Sequence, residues 1–351
     1  MNKLFLLIFC ALLSLPAGAQ TQSTLSLEAQ LKAKPDDILI REQAARAHAK
    51  SKNWQKVVDL LNPHTDEATA RGFLQLAAAY QELKDYANLV RVMNLLAEKR
   101  PKDAHIQYLL GDARLKAADE MKDLKPRQTA ENEAIDNFRT ALRLKRSFKP
   151  AHQALVNYFL KVNMNHEARE QILDMIKVFG SRGDFHAELC RLYSNDGFLP
   201  QAIKFCNKAI QISPNAPESY VYLAQTYFDQ KELEKSEEAL IRAAKKFQNS
   251  EFVQYGAGQF FLTSGNYPVA ARYLQRAVAS DANSSRSRIS YANALFGSGQ
   301  MAQSLPHFIK ACELNSASQG DFLAAASKLR LKGETVLAQK FAQAAGGCKK
   351  N

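Results

Sequence analysis

The sequence lacks the short motifs that mark the common enzyme classes. It contains no Gly-x-Ser-x-Gly nucleophile elbow, no phosphate-binding loop and no paired-cysteine zinc motif. Beyond the N-terminus it also lacks any apolar run long enough to cross a membrane as a helix. Only five of its 351 residues are cysteines. These absences argue against the usual hydrolases and phosphate-loop enzymes, and against an integral membrane protein.

The N-terminus has the composition of a secretory signal peptide. A charged start at Lys3 is followed by an apolar run over 4–15 and then by the small residues Ala17, Gly18 and Ala19. The apolar run is too short to span a bilayer. We therefore expect residues 1–19 to be removed on export. The mature chain would then be periplasmic or secreted, and an association with the outer membrane is a further option.

Positive charge is spread along the chain rather than concentrated. The formal net charge is +12; residues 20–148 carry 22 basic and 18 acidic side chains, and residues 149–351 carry 24 and 17. The densest basic stretch comprises Arg139, Arg143, Lys145, Arg146 and Lys149. A solvated outer face is the simpler interpretation of this stretch, and a specific anion site is the alternative. Diffuse positive charge also favours attraction to anionic polymers or lipid surfaces.

The most informative feature is a 34-residue period that starts at Lys149 and runs for six units. With Lys149 as column 1, column 8 reads Val156, Cys190, Ala224, Gly258, Ala292 and Ala326. Column 20 reads Ala168, Ala202, Ser236, Ala270, Ser304 and Ala338. Column 24 reads Ile172, Cys206, Leu240, Leu274, Phe308 and Ala342. A fixed period of this length indicates one supersecondary unit stacked on copies of itself.

Each unit reads as two amphipathic helices joined by a short polar turn. In residues 217–250, Tyr220 and Tyr227 share one stripe of the first helix, and Leu240 and Ala243 lie on the second. Small residues in fixed columns let the two helix axes approach closely. Large residues fill the grooves between neighbouring pairs.

The order of residue types within a unit resembles the tetratricopeptide repeat, a 34-residue helix-turn-helix unit. Residues 183–216 carry this pattern as Leu189, Cys190, Tyr193, Ala202, Cys206, Ala209 and Pro214. The resemblance implies an all-α fold: a right-handed superhelical solenoid of tandem helix-turn-helix repeats.

The pattern extends over the whole mature chain, as about nine repeats that follow an N-terminal capping half-repeat at 20–37. The predicted repeats are 38–69, 70–103, 104–148, 149–182, 183–216, 217–250, 251–284, 285–318 and 319–351. The third has an insertion near 118–129, where eleven extra residues include Pro126, which should end a helix or start a loop. The last repeat has no separate polar helix to cover it, so coverage by a partner, self-association and tolerated exposure all remain open.

The positions of the cysteines indicate that they pack in the core rather than carry out chemistry. Export permits disulfides, but Cys190 and Cys206 occupy core columns, where cysteine serves as a small apolar residue. We place column 8 opposite column 20, which puts these two cysteines about one helical turn out of register and disfavours a bridge between them. Any pairing of Cys312 or Cys348 is left open.

The best candidate for a metal site combines His186 with Cys190 and Cys206. No fourth ligand is evident, and core packing already accounts for all three residues. We therefore expect no metal, no cofactor and no catalytic residues. A metal-dependent enzyme centred on His186 is a minor alternative.

The resemblance implies that the first helices line a concave face, with columns 2, 5, 9, 12 and 13 pointing into it. Column 9 is polar in every unit, and Asn and Gln each offer a donor and an acceptor to a peptide backbone. Column 12 is largely apolar, and column 5 adds Val221, Tyr255 and Ile289. The predicted peptide-binding residues are Asn157, Arg191, Gln225, Phe228, Tyr255, Gln259, Asn293 and Phe296. The competing interpretation is that the polar residues are merely solvated and that some apolar ones belong to the core.

Two further expectations concern charge in this groove. Arg191, Arg286 and Arg330 are available for acidic groups of a partner. Some tetratricopeptide domains grip a C-terminal carboxylate with Lys in column 5 and Asn in column 9. Here Gln153 accompanies Asn157, and this departure argues against a carboxylate clamp of that type.

We therefore predict a non-enzymatic scaffold or adaptor, exported to the bacterial envelope, that binds an extended partner segment in its concave groove. The setting would be the assembly or secretion of envelope components. The expected partner is a protein or an extended peptide; an anionic envelope polymer is a second candidate. No nucleic acid and no transmembrane segment after signal cleavage are expected. The alternative from another class is a module that binds an anionic glycan or lipid through its positive charge.

Overall fold

The computed structural model describes residues 17–348, which contain 19 α-helices, two single-turn 3₁₀ helices (Asn62–His64 and Ser316–Ser318) and no strand. The predicted signal peptide, residues 1–19, lies outside the described residues except for its last three positions. The helices, in chain order, are α1 (Ala17–Ala33), α2 (Ile38–Lys50), α3 (Trp54–Leu61), α4 (Ala70–Glu82), α5 (Tyr86–Lys99), α6 (Ala104–Glu120), α7 (Leu124–Leu144), α8 (Lys149–Lys161), α9 (Asn165–Phe179), α10 (Gly183–Asn195), α11 (Leu199–Ile212), α12 (Pro217–Asp229), α13 (Leu233–Lys246), α14 (Glu251–Thr263), α15 (Tyr267–Ser280), α16 (Ser285–Gly297), α17 (Met301–Leu314), α18 (Gln319–Leu331) and α19 (Thr335–Gly346).

The chain divides into two compact units, unit 1 up to Gln171 and unit 2 from Ile172. Within each unit, consecutive helices pack as hairpins, and each hairpin packs on the next. The first helices of successive hairpins also contact each other directly: α2 contacts α4 in unit 1, and α12 contacts both α10 and α14 in unit 2. The prediction of an all-α solenoid of helix-turn-helix repeats is confirmed.

The 34-residue period is also a period of the backbone. First helices of 13 residues begin at Lys149, Gly183, Pro217, Glu251, Ser285 and Gln319. The turn after each of them contains one residue with positive φ, always in column 15: Asn163, Gly197, Lys231, Gly265, Gly299 and Gly333. Four of the six are glycine. In the left-handed conformation the Cβ of an L-residue lies too close to the following carbonyl oxygen, and glycine has no Cβ.

Close approach of the two helices explains the small columns. A Cβ placed on Gly258, in column 8, would lie 2.4 Å from the Leu274 side chain in column 24. In the neighbouring hairpin the Ser236 hydroxyl, in column 20, donates to the Ala224 carbonyl, in column 8, over 2.8 Å. Column 8 therefore packs between columns 20 and 24 of the facing helix, because these two columns lie one turn apart on the same stripe.

This register overturns one prediction. Cys190, in column 8, and Cys206, in column 24, form a disulfide, with their Cα atoms 5.0 Å apart. We had placed column 8 opposite column 20 alone. A second disulfide joins Cys312 to Cys348 across a Cα separation of 5.6 Å. Both separations lie within the range that disulfide geometry allows.

The insertion in the third predicted repeat lengthens a hairpin instead of forming a loop. Helix α6 has 17 residues, four more than the periodic first helices, and α7 has 21, seven more than the usual 14. Pro126 is the third residue of α7, where its missing N–H has no partner to lose. The eleven extra residues therefore add helical turns to both helices, and the expectation of a loop at Pro126 is wrong.

Candidate functional site

The first helices of unit 2 form a continuous row. Helix α12 contacts α10 and α14, and α16 contacts α14 and α18. We call the outward surface of these five helices the first-helix face. Because all five have the same length and period, residues in one column recur at the same level on this face.

Column 5 forms an apolar strip along the first-helix face, made of Val221, Tyr255, Ile289 and Leu323. The first three side chains are half-buried, and Leu323 is 45% exposed. The helices meet closely here, since a Cβ on Gly256 would lie 2.9 Å from Val221. The apolar strip is thus a rigid surface that still presents hydrocarbon to solvent.

Some side chains of column 12 lie on the first-helix face, and others lie in the core. Phe228 is half-buried and packs edge-to-face on Phe260, with ring centroids 5.9 Å apart. Phe296 is only 8% exposed and packs edge-to-face on Phe341, in the core formed by the last two hairpins. Phe296 is therefore a core residue, and its assignment to the groove is wrong.

The polar residues of column 9 differ in how far they are already engaged. The Gln225 amide donates to Asp229 on its own helix over 2.9 Å, and the Gln259 amide donates to Ser290 on α16 over 2.5 Å. Asn293 is half-buried and has no side-chain partner within residues 17–348. Asn157 is exposed on α8 of unit 1. Only part of the predicted ladder is free to bond a partner.

Two of the three predicted arginines are neutralised by their own chain. Arg191 forms a two-point ion pair with Glu188, at 2.5 and 3.1 Å. Arg286 does the same with Glu251, at 2.6 and 3.2 Å, and its guanidinium lies 4.9 Å from the centre of the Tyr255 ring. The hydrogen bonds that the guanidinium groups donate to these carboxylates raise the pKa of both arginines. The expectation that Arg191 and Arg286 are available to acidic groups is therefore wrong.

Arg330 differs from these two arginines. It is exposed at the end of α18 and lines an open cleft of about 520 Å³ together with Thr335 and Gln339 of α19. It forms no ion pair among the described residues. Arg330 is the one predicted groove arginine that remains available to an anion.

Glu251 also fixes the start of the neighbouring first helix. Its carboxylate accepts hydrogen bonds from the hydroxyls of Ser284 and Ser287, over 2.8 and 2.5 Å, at the N-terminus of α16. Burial alone raises the pKa of Glu251, but the hydrogen bonds from Arg286, Ser287 and Ser284 outweigh it and hold the pKa below the usual glutamate range. The carboxylate is therefore charged at neutral pH and holds Arg286 on the first-helix face.

Sequence reasoning missed one aromatic pair on this face. Tyr222 of α12 packs edge-to-face on Phe252 of α14, with centroids 6.0 Å apart, and both rings are half-buried. Burial raises the pKa of Tyr222, and the nearby Glu188 carboxylate raises it further. Tyr222 lies in column 6, outside the columns that the resemblance assigned to the groove.

The candidate metal site is absent from the described structure. Cys190 and Cys206 are joined as a disulfide, so neither supplies a thiolate. His186 lies 2.7 Å from the Ser181 hydroxyl and stacks on Phe205. No group of three His, Cys, Asp or Glu side chains among residues 17–348 could hold a metal ion. His186, Cys190 and Cys206 therefore do not form a set of three metal ligands in the described structure.

None of the described helices combines the length and the apolar character that crossing a bilayer requires. The structure thus presents a helical-repeat array with a half-exposed first-helix face. Arrays of this kind act as scaffolds for protein–protein interaction, and this is the class that the fold defines.

Comparison with known proteins identifies the repeat. Two family models, both described as tetratricopeptide repeat, match residues 196–255 and 255–319. Residues 196–319 of the chain are therefore tetratricopeptide repeats, and the resemblance noted in the sequence is confirmed. Tetratricopeptide repeats are typically non-enzymatic interaction modules. No curated protein matches the sequence.

The chain is also similar, at low identity, to solved structures. The crystal structure of YrrB, described as a TPR protein with an unusual peptide-binding site, is 15% identical; the match covers 56% of this chain and 95% of that one, with a TM-score of 0.38. A structure of MamA AMB-1 is 18% identical and covers 49% and 92%, with a TM-score of 0.35. A further MamA crystal structure, also 18% identical, covers 46% and 95%, with a TM-score of 0.38.

Proposed function

We propose that the protein is an exported, non-enzymatic scaffold that binds an extended, partly apolar segment of a partner protein along its first-helix face. The observation that carries the proposal is the apolar strip, which runs over four successive repeats and stays partly exposed in each of them. A contiguous apolar surface of this kind on a soluble repeat array is typical of an interaction site.

The contacts on the first-helix face limit the chemistry of the partner. Arg191 and Arg286 are already paired with Glu188 and Glu251, so an acidic partner would find few free cations along the strip. The free amide of Asn293 is suited to the backbone of an extended segment, which offers both donors and acceptors. The partner segment is therefore extended and weakly charged, with apolar side chains that pack on the strip.

Export is the second part of the proposal. Residues 1–19 have the pattern of a secretory signal peptide. The two disulfides of unit 2 support export, because disulfides persist in the periplasm and outside the cell but are rare in the cytosol. The partner is then a component of the bacterial envelope or of its assembly and secretion machinery.

Site-specific photo-crosslinking in the native cell tests whether the partner binds at the first-helix face. A photoreactive amino acid replaces Leu323 on the first-helix face or, as the matched control, Ile241 on the second helix α13. The two side chains are 45% and 42% exposed, so the probes are equally accessible. We expect a discrete protein adduct from position 323 that is identified by mass spectrometry, and none from position 241.

Substitution provides the second arm of this test. Leu323→Ser should weaken capture of that partner by about tenfold, since burying one leucine contributes about 1.5 kcal/mol or more. Ile241→Ser should leave capture unchanged. Equal adducts from both positions, or unchanged capture by a folded Leu323→Ser protein, would refute binding at the first-helix face.

A further inference from the structure

Unit 1 contains an open cleft that lies between two connections of the repeat array. It has a volume of about 650 Å³ and is bounded by the connection from α5 to α6 and by the connection from α7 to α8. Its lining includes Arg100 and Lys102 from the first connection, and Leu144, Lys145 and Phe148 from the second. This size lies within the range of small-ligand sites.

The cations of the cleft have no ion-pair partner. Within the part of the chain that the structure describes, the side chains of Arg100, Lys102 and Lys145 form no ion pair and no hydrogen bond. The one acid in the lining is Asp103, whose carboxylate accepts hydrogen bonds from the backbone N–H groups of His105 and Ile106 at the start of α6. The lining therefore carries three cations and one carboxylate, and its net charge is positive.

The lining of the cleft includes two aromatic side chains, His105 and Phe148. Phe148 packs edge-to-face on both His105 and Tyr108, with centroids 6.2 and 5.7 Å away. Burial lowers the pKa of His105, so this ring is neutral at pH 7 and acts as an apolar surface. Ring faces next to exposed cations suit a ligand that combines a flat or puckered ring with a negative group.

The geometry points to a binding site for an anionic glycan, that is, a chain of sugar rings that carry carboxylate or phosphate groups. Sugar rings pack on Phe148 and His105, and their anionic substituents pair with Arg100, Lys102 and Lys145. The cleft is open to solvent, so sugar units on either side of a bound ring can extend away from it. This site goes beyond the proposed scaffold function and uses residues of unit 1 only.

A membrane surface fits the same residues less well. Insertion into a bilayer needs exposed apolar side chains around the charges. Leu144, 40% exposed, is the one large apolar side chain of the lining that is exposed. The chain that follows it is basic, with Arg146 and Lys149 on either side of Phe148.

Binding of a defined polyuronate tests the inference. The full mature chain is titrated with polygalacturonate at fixed ionic strength, beside its methyl-esterified, uncharged form. Each surface ion pair contributes about 0.5 kcal/mol, so the combined variant Arg100→Gln, Lys102→Gln and Lys145→Gln should bind about tenfold more weakly. The matched control removes three exposed lysines of unit 2, in the variant Lys204→Gln, Lys245→Gln and Lys328→Gln, and should bind within twofold of the unsubstituted chain.

The outcomes separate this site from its alternatives. Equal weakening in both triple variants would show attraction to net charge alone and would overturn the site. Equal binding of the esterified polymer would do the same. Vesicles containing phosphatidylglycerol form a further arm, and binding to them without binding to polygalacturonate would replace the glycan by a lipid surface. None of these results bears on the crosslinking at Leu323, which tests the first-helix face.

Discussion

Unit 1 and unit 2 are both stacks of helical hairpins, yet they differ in regularity. In unit 2 each first helix begins 34 residues after the last, whereas unit 1 contains the long α6–α7 hairpin and irregular spacing. Unit 2 contains both disulfides, and the described part of unit 1 contains no cysteine. The comparison teaches that the helical-hairpin fold tolerates inserted turns, whereas a continuous apolar strip requires an unbroken period.

The turns show the same contrast on a smaller scale. The left-handed turn residue is a lysine or an asparagine in unit 1, at Lys52, Lys84 and Asn163. In unit 2 it is glycine at four of five positions, and Lys231 is the exception. Unit 1 therefore keeps a conformation that costs each of these side chains about 1 kcal/mol, a cost that unit 2 mostly avoids.

The largest expected effect concerns the disulfides. Closing loops of 16 and 36 residues stabilises unit 2 by about 3 and about 4 kcal/mol in the chain-entropy model. Replacement of Cys312 and Cys348 by serine should accelerate amide hydrogen exchange in α17 and α19, because the bridge ties α17 to the residues that directly follow α19. Exchange in α2 to α5 of unit 1 serves as the internal control and should not change. Equal acceleration in both units would contradict the assignment of this bridge to local stability.

The second prediction compares one carboxylate at a helix N-terminus in each unit. Glu251 accepts hydrogen bonds from the hydroxyls of Ser284 and Ser287 at the start of α16. In unit 1, Glu42 accepts from the N–H and the hydroxyl of Thr69, the N-cap residue of α4, both over 2.8 Å. Glu251→Gln and Glu42→Gln should each lower the free energy of unfolding by about 1–2 kcal/mol, because each weakens charge-assisted hydrogen bonds. Urea denaturation followed by circular dichroism measures the loss.

The pH dependence of this loss sharpens the comparison. The pKa of Glu251 is lower in the folded state than in the unfolded chain, so its stabilisation is present above the unfolded pKa and disappears as the pH falls through the folded value. The difference in stability between the unsubstituted chain and Glu251→Gln should therefore shrink in acid. A difference that stays constant down to pH 3 would show that the ionised carboxylate is not the stabilising group.

The smallest effects are expected in the turns. Lys84→Gly in unit 1 should stabilise the protein by less than about 1 kcal/mol, because relief of the left-handed conformation is partly offset by the greater freedom of glycine when unfolded. Gly265→Ala in unit 2 should destabilise it by about 1 kcal/mol for the reverse reason. Urea midpoints of the two variants are compared; a shift in the same direction for both would contradict this explanation.

The periodic packing of the helices could be predicted from the sequence. Which individual side chains contact each other within that packing could not. Spacing alone predicted the solenoid, since each column repeats the same local demand on side-chain size. The register of column 8 was predicted wrongly because columns 20 and 24 lie one turn apart on a single stripe, and both are small or apolar. The bridge between Cys190 and Cys206 therefore emerged only from the three-dimensional structure.

The candidate site shows the same limit. The columns separated polar from apolar positions of the repeat, but they did not show which side chains already bond to a neighbour in the same chain. Phe296 turns into the core against Phe341, and Arg191 pairs with Glu188 three residues earlier on the same helix. Phe228 and Phe296 both occupy column 12, and the sequence does not distinguish them. Their burial differs because the last two hairpins pack around the Phe296 ring.

By itself the sequence determined the repeat, its helical hairpins and the array they build, because hydrophobic periodicity and small residues at close contacts are local properties that recur every 34 residues. The tertiary structure decided which cysteines pair, which arginines remain free and where inserted residues go. It also brought Arg100 and Lys145, 45 positions apart in the chain, to one cleft. Those features depend on contacts between elements, and no single stretch of sequence encodes such a contact.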